Sequence, residues 1–130
     1  MVKKKKEVQV ATVDEPIAVE EALPLDSLRS CLEEVKTYDG VIGYILRNAT
    51  SATIDLKDPA NIIDYAILSS SAFDASEELS ELFDLGDVVS VVIEGKDVKV
   101  LSLTVNENKV SVFLEKNADV TRVSKKLRAL

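Results

Sequence analysis

No histidine occurs among the 130 residues, and there is a single cysteine, Cys31. The first absence removes the usual general base, proton shuttle and zinc ligand of neutral-pH chemistry. The second leaves neither a disulfide framework nor a thiolate metal cluster, and it fits a reducing cytoplasm. Glycine is scarce: its four copies are scattered at 40, 43, 86 and 95, and neither G-x-x-x-x-G-K-[ST] nor G-x-G-x-x-G is spelled. The chain alone therefore has no cradle for nucleotide phosphates, and no cofactor is expected. No apolar run approaches the roughly 18 residues of a membrane-spanning helix, so membrane insertion is not expected. Basic residues are outnumbered 16 to 23, for a net charge of −7. Residues 1–24 hold −1 of this charge and the other 106 residues hold −6. That is a poor balance for gripping a phosphate backbone, and no nucleic-acid partner is expected. The tyrosines are not interleaved with basic residues, so no stacking platform for single strands is visible either.

What is present suits one packed domain: 46% apolar and 30% charged residues, over a length that can bury a core. Residues 1–24 have no sustained periodicity, carry Pro16 and Pro24, and set Lys3–Lys6 among short aliphatics and acidic residues. They read as a flexible, solvated arm with a β-prone piece at Val8–Val13. No apolar h-region follows the lysines, so this is not a signal peptide.

The domain is expected from Leu25 to the end. Asp26 or Ser27 can cap a helix in which Leu28, Cys31, Leu32 and Val35 recur at helical spacing, ending near Thr37 ahead of Asp39-Gly40. Val41–Arg47 and Ala52–Leu56 are β-type runs joined by Asn48–Ser51, a hairpin pattern. Asp58-Pro59 breaks the second run and prepares a long helix, with Asp58 or Asn61 as its cap and Gly86 as its left-handed stop. Three strands follow, Val88–Ile93, Val98–Val105 and Lys109–Leu114, with turns at Gly95 and Asn106-Glu107-Asn108. Asn117 or Asp119 then caps a final helix with Val120, Val123, Leu127 and Leu130 on one side, and Lys125, Lys126 and Arg128 at its C-terminal dipole. The order α-ββ-α-βββ-α predicts an α+β fold, one five-stranded antiparallel sheet with helices on both faces.

Catalytic readings are weak. Cys31 lies on the apolar stripe of its helix, where a lone cysteine acts as a small buried hydrophobe. Glu33-Glu34, Glu77-Glu78 and Glu81 read as the wet faces of amphipathic helices, not as acid–base pairs. Asn48-Ala49-Thr50 matches the glycosylation pattern, which has no bearing without secretion.

The segment Asn61–Leu85 carries more information. At 100° per residue, Tyr65, Leu68, Ala72, Ala75, Leu79, Leu82 and Phe83 form one broad stripe, expected to meet the sheet. Ile62, Ile63, Ala66 and Ile67, later joined by Phe73, lie outside it, so the first half is apolar nearly all round. A surface helix needs one apolar face, and a second implies a partner, either another part of the chain or another molecule. Ser69, Ser70 and Ser71 are small enough to let another helix approach.

From Leu25 onward the chain resembles the Roadblock family. The resemblance is carried by Tyr38-Asp39-Gly40-Val41-Ile42-Gly43-Tyr44-Ile45-Leu46, by the small-residue-rich helix ending Leu85-Gly86, and by Val89-Ser90-Val91-Val92-Ile93-Glu94-Gly95. Asn117-Ala118-Asp119 before the basic helix Arg122–Leu130 completes it. The chain departs from the pattern at Arg47–Ser51, where relatives often have an Asp-x-x-Gly turn and this sequence has no glycine. The resemblance implies a homodimer in which central helices pack together and third strands join into one sheet. The interface residues it implies, together with the helix reading, are Ile62, Ile63, Ala66, Ile67, Ser70, Ser71, Asp74, Val89, Val91 and Ile93. It also implies a cytoplasmic, non-catalytic module that binds and regulates a small Ras-like GTPase. Two other readings remain open: a dimeric scaffold subunit of a larger motor or membrane-associated complex, and a small-ligand sensor.

Overall fold

The computed structural model describes residues 16–130, and their side chains from Asp26 onward. The lysine run and the β-prone piece Val8–Val13 lie outside the described residues. Three helices and five strands follow one another as α1 (Pro16–Val35), β1 (Val41–Arg47), β2 (Ala52–Leu56), α2 (Ile62–Phe83), β3 (Ser90–Glu94), β4 (Val98–Val105), β5 (Asn108–Glu115) and α3 (Val120–Arg128). The strands form one antiparallel sheet in the order β2-β1-β5-β4-β3, so β2 and β3 are its edges.

The first helix starts ten residues before the expected cap at Asp26, at Pro16. Pro16 stands in the first turn, where an N–H would have no intrahelical partner anyway. Glu20, Glu21, Ala22 and Leu23 are strong helix formers that carry the helix through Pro24. Periodicity alone could not find this stretch, because two prolines read as breaks.

Side chains alternate across the sheet and sort the core into two layers. Tyr44 and Leu46 of β1, Leu101 and Leu103 of β4, and Val110, Val112 and Leu114 of β5 meet Leu28, Cys31, Leu32 and Val35 of α1 and Val123 and Leu127 of α3. On the opposite face Ile45, Val100 and Phe113 pack beneath Tyr65, Ala66 and Leu68 of α2, with Ile42 and Leu56 at the side. The Tyr65 and Phe113 rings stack with centroids 4.6 Å apart.

Local devices fix the turns. A Cβ on Gly43 would lie 2.2 Å from the Asp55 carbonyl oxygen and 2.7 Å from Leu56 Cα, so β2 can approach β1 this closely only across a glycine. The glycine-free turn Arg47–Ser51 is built by Asn48. Its Oδ1 accepts from the N–H groups of Thr50 and Ser51 at 2.9 Å each, while its own N–H donates to the Ser51 carbonyl at 3.0 Å. Asn106 and Glu107, with φ of 50° and 68°, form the two-residue turn between β4 and β5. The left-handed stop of α2 is Asp84 (φ 54°) rather than Gly86, two residues sooner than expected. Asp119, not Asn117, caps α3 by accepting from the Arg122 N–H at 3.2 Å.

Candidate interaction surface

Helix α2, 22 residues long, covers one face of the sheet. Its inner side is Tyr65, Ser69, Ala72, Phe73 and Ser76, of which the last four are buried. Two of these are serines because polar partners await them. Ser69 Oγ lies 2.7 Å from Ser111 Oγ, which lies 2.8 Å from Ser102 Oγ, all three buried. Ser76 donates to the Phe73 carbonyl at 2.9 Å. Polar groups so paired carry little of the cost of burial.

The stripe expected on the sheet is therefore only half right. Tyr65, Leu68 and Ala72 pack inward, but Ala75, Leu79, Leu82 and Phe83 are exposed. Phe73, expected off the stripe, is buried, with Lys109 Nζ 5.4 Å and the Arg47 guanidinium 6.0 Å from its ring centre.

Along the exposed surface of α2 winds a row at intervals of four, Ile63, Ile67, Ser71, Ala75, Leu79 and Phe83, every one exposed, its first members facing away from the sheet. Ile63 is 74% exposed, Ile67 61% and Phe83 67%, with Leu82 alongside at 68%. Rows of this spacing are what helices interdigitate when they pack. The small residues at its centre leave room for a close approach. Ala75, Leu79, Leu82 and Phe83 belong to this surface although the sequence placed them in the core. The missed signal is the unbroken spacing of four from Ile63.

The ten candidate residues fall in three places. Ile63, Ile67, Ser71 and Asp74 lie on the outer side of α2 and are exposed. Ile62, Ala66 and Ser70 lie on a half-buried flank, where Ala66 packs on the Ile45–Phe113 cluster and Ser70 Oγ accepts from Arg47 Nη1 at 3.4 Å. Val89 precedes β3 and is exposed. Val91 and Ile93 pair with Ser102 and Val100 and so point to the α2 side of the sheet. β3 begins at Ser90 rather than Val88 and runs one residue further, to Glu94. It is an edge, with no strand on its outer side among the described residues. Val91, Val92 and Ile93 make this edge aliphatic.

The opposite face is closed over by α1 and α3. Burial pushes the Cys31 thiol pKa up, which disfavours the thiolate, and its Sγ lies 3.8 Å from the Lys126 carbonyl. Tyr44 donates to Glu33 Oε2 at 2.6 Å, and burial with that carboxylate drives its pKa well above the ordinary tyrosine value. Lys126 pairs with Glu34 at 2.9 Å and Lys36 with Asp55 at 2.8 Å, tying α1 to α3 and to β2. Among the described residues no group of three or more histidine, cysteine, aspartate and glutamate side chains is placed to hold a metal ion. No described helix is long and apolar enough to cross a membrane.

Comparison with solved structures identifies the fold. A Roadblock/LC7 domain from Streptomyces avermitilis superposes with a TM-score of 0.61 at 18% identity, over 80% of this chain and 88% of that one. The gliding protein MglB from Thermus thermophilus superposes at 0.61 and 15% identity, over 82% of this chain and 84% of its own. An MglB structure described as having a tetrameric arrangement gives 0.59 at 17% identity, over 82% and 83%. No family model and no curated protein matches the sequence. The chain has the Roadblock-type fold: α+β, in the order α-ββ-α-βββ-α.

Proposed function

We propose that this chain is a homodimeric interaction module that binds and regulates a small Ras-like GTPase and performs no catalysis of its own. The observation that carries the proposal is the exposed α2 ridge beside the free edge of β3. Two copies related by a two-fold axis would set ridge against ridge and edge against edge, which gives the exposed apolar groups of both a partner. Ile63 on one helix would then lie toward Leu79 of the other, with Ser71 near the axis. Each isoleucine or leucine withdrawn from water contributes about 1.5–3 kcal/mol, so the ridge alone supplies a strong drive to associate. The fold shared with MglB, a protein also described in a tetrameric arrangement, supports self-association. The GTPase partner rests on the resemblance to the Roadblock family. Regulation would work by conformation, the dimer surface favouring one arrangement of the GTPase switch segments.

Sedimentation equilibrium tests the dimer: Ile63→Asp with Ile67→Asp is expected to give monomers or insoluble chains, while Glu78→Lys remains dimeric. A double aspartate variant that stayed a soluble dimer would place the interface elsewhere. Nucleotide hydrolysis and exchange by GTPases encoded beside this chain test the regulation. Binding without kinetic effect would make it a scaffold, and no binding would remove the GTPase reading.

A further inference from the structure

We propose that a groove at the C-terminal end of α2 receives the exposed, basic side of α3 from a second copy of this chain, in a contact separate from the α2 row. The groove is about 610 Å³ and lies between α2, the loop 86–89 and the ends of β4 and β5. Phe73 and Val88 give it an apolar floor, and Glu77, Glu81 and Asp87 stand exposed around it. Ser80, on its helical wall, lies about 180° round α2 from Ser71, so an occupant here leaves Ser71 and its neighbour Ile67 available to a further contact.

Charge selects the occupant. From Asp74 to Asp87 the chain carries Asp74, Glu77, Glu78, Glu81, Asp84 and Asp87 and no basic residue. These charges sit at a helix C-terminus, where the backbone dipole already favours cations. Among the described residues, the cation in the groove is Lys109, 3.9 Å from Glu77, so the rim keeps a surplus of carboxylates. Helix α3 presents the complement. Its Val123 and Leu127 are buried, and on its other side Thr121, Arg122, Lys125, Arg128 and Ala129 are exposed: three cations, no carboxylate, and small residues among them. Arg122 lies 3.8 Å over the Tyr38 ring and Arg128 donates to Ser90 Oγ at 2.6 Å; both partners are neutral, so neither contact cancels the charge. In the groove the aliphatic stems of these side chains would lie on Phe73 and Val88 while their heads meet Glu77, Glu81 and Asp87.

The helix that fits is another molecule's. Val123 and Leu127 hold each α3 on the α1 face of the sheet, against the core of Leu28 and Leu32, whereas the groove opens beside α2. A chain's own α3 could reach its groove only by uncovering that core. Because the giving and receiving surfaces differ, the contact is heterologous: each copy gives one helix and receives another, so the assembly grows with concentration as a ring or a filament. The net charge of −7 opposes approach at long range. At about 0.1 M salt, however, charges more than about 10 Å apart are largely screened, and the pairs in contact decide.

Sedimentation velocity of the full chain and of two charge-reversed variants tests the contact. One variant carries Glu77→Lys with Glu81→Lys, the other Lys125→Glu with Arg128→Glu. All four side chains are exposed, so the circular dichroism of both variants should match that of the parent. The parent's average mass is expected to grow with concentration, with association weaker by about tenfold or more in about 1 M salt than in about 0.1 M. Each variant alone should lose this growth, because like charges then face each other across the contact. Mixed in equal amounts, the two should regain it, since the groove of each then meets an α3 of opposite charge. A mixture no heavier than its components, a single variant that grows as the parent does, or growth that ignores salt would overturn the proposal. Ile63, Ile67 and Leu79 are intact throughout, so a failure of the α2 dimer would lower every sample alike, whereas a failure of the α3 contact would show as no recovery on mixing.

Discussion

The two faces of the sheet are finished to different degrees. Under α1 and α3, Leu28, Leu32, Val35, Val123 and Leu127 are fully or almost fully withdrawn from solvent, and ion pairs between the elements close the margins. Under α2 the apolar core is Ile45, Val100 and Phe113, continued by a run of serine hydroxyls. Above it the helix turns isoleucines and leucines outward. One face is a core in itself, and the other is half of one. Burial within a single chain accounts for the first face, whereas Ile63, Ile67, Leu79 and Leu82 on α2 stay exposed.

The comparison breaks most sharply on a matched pair of truncations. Leu32→Ala removes a side chain with 0% exposure and should cost about 2–5 kcal/mol in urea unfolding, independent of protein concentration. Ile67→Ala removes one that is 61% exposed in the single chain, where such a change costs under about 0.5 kcal/mol. In a dimer through α2 the same change should cost about 1–3 kcal/mol at high protein concentration and fade on dilution. An Ile67→Ala cost that ignores concentration would show that the outer face is as self-sufficient as the inner one.

The serine run tests whether the α2 face depends on hydroxyl pairing. Ser111→Ala leaves the buried Ser69 and Ser102 hydroxyls without the oxygen that now lies 2.7 and 2.8 Å away. The expected loss is about 1–3 kcal/mol, read from the denaturant midpoint. A neutral result would mean that water enters under α2, and that this face is looser than its contacts imply.

These differences explain what was legible in the sequence. Element order and sheet type could be read because Leu28, Cys31, Leu32 and Val35 recur at helical spacing and the strands are bounded by strong turn residues. The turn at Asn48 could not, because its geometry comes from one carboxamide rather than from a glycine. The sheet side of α2 was misread for a related reason. Hydropathy counts Ser69 as an outward residue, though the Ser111 hydroxyl awaits it, and counts Leu79 and Leu82 as inward ones, though both are exposed. Of the candidate surface, Ile63 and Ile67 stood out as surplus apolar residues, and the half beyond Ser71 was hidden in the supposed core.

The turn at Asn48 gives a smaller effect at the edge of the sheet. Asn48→Ala removes an acceptor for two backbone N–H groups and should lower stability by about 1 kcal/mol, while Asn48→Asp, which keeps the acceptor, should cost less. Equal losses in the two variants would indicate that the strands, rather than the carboxamide, set the turn.

The smallest prediction belongs to the closed face and concerns alkali. Tyr44 has its pKa raised in the fold by burial and by the Glu33 carboxylate, against an ordinary value of 10.0. Above that ordinary value the unfolded chain releases the tyrosine proton while the folded chain retains it. The unfolded state then binds fewer protons, so stability falls as pH rises; below about pH 10 this contribution is constant. Tyr44→Phe has no proton to lose. It should begin less stable by about 1 kcal/mol for the lost hydrogen bond, and its gap to the parent chain should narrow as pH climbs above about 10. Lysines and the other tyrosines are common to both proteins and cancel in that difference. Two alkaline limbs that stay parallel would mean that Tyr44 ionises as easily in the fold as outside it, and that water reaches it behind Glu33.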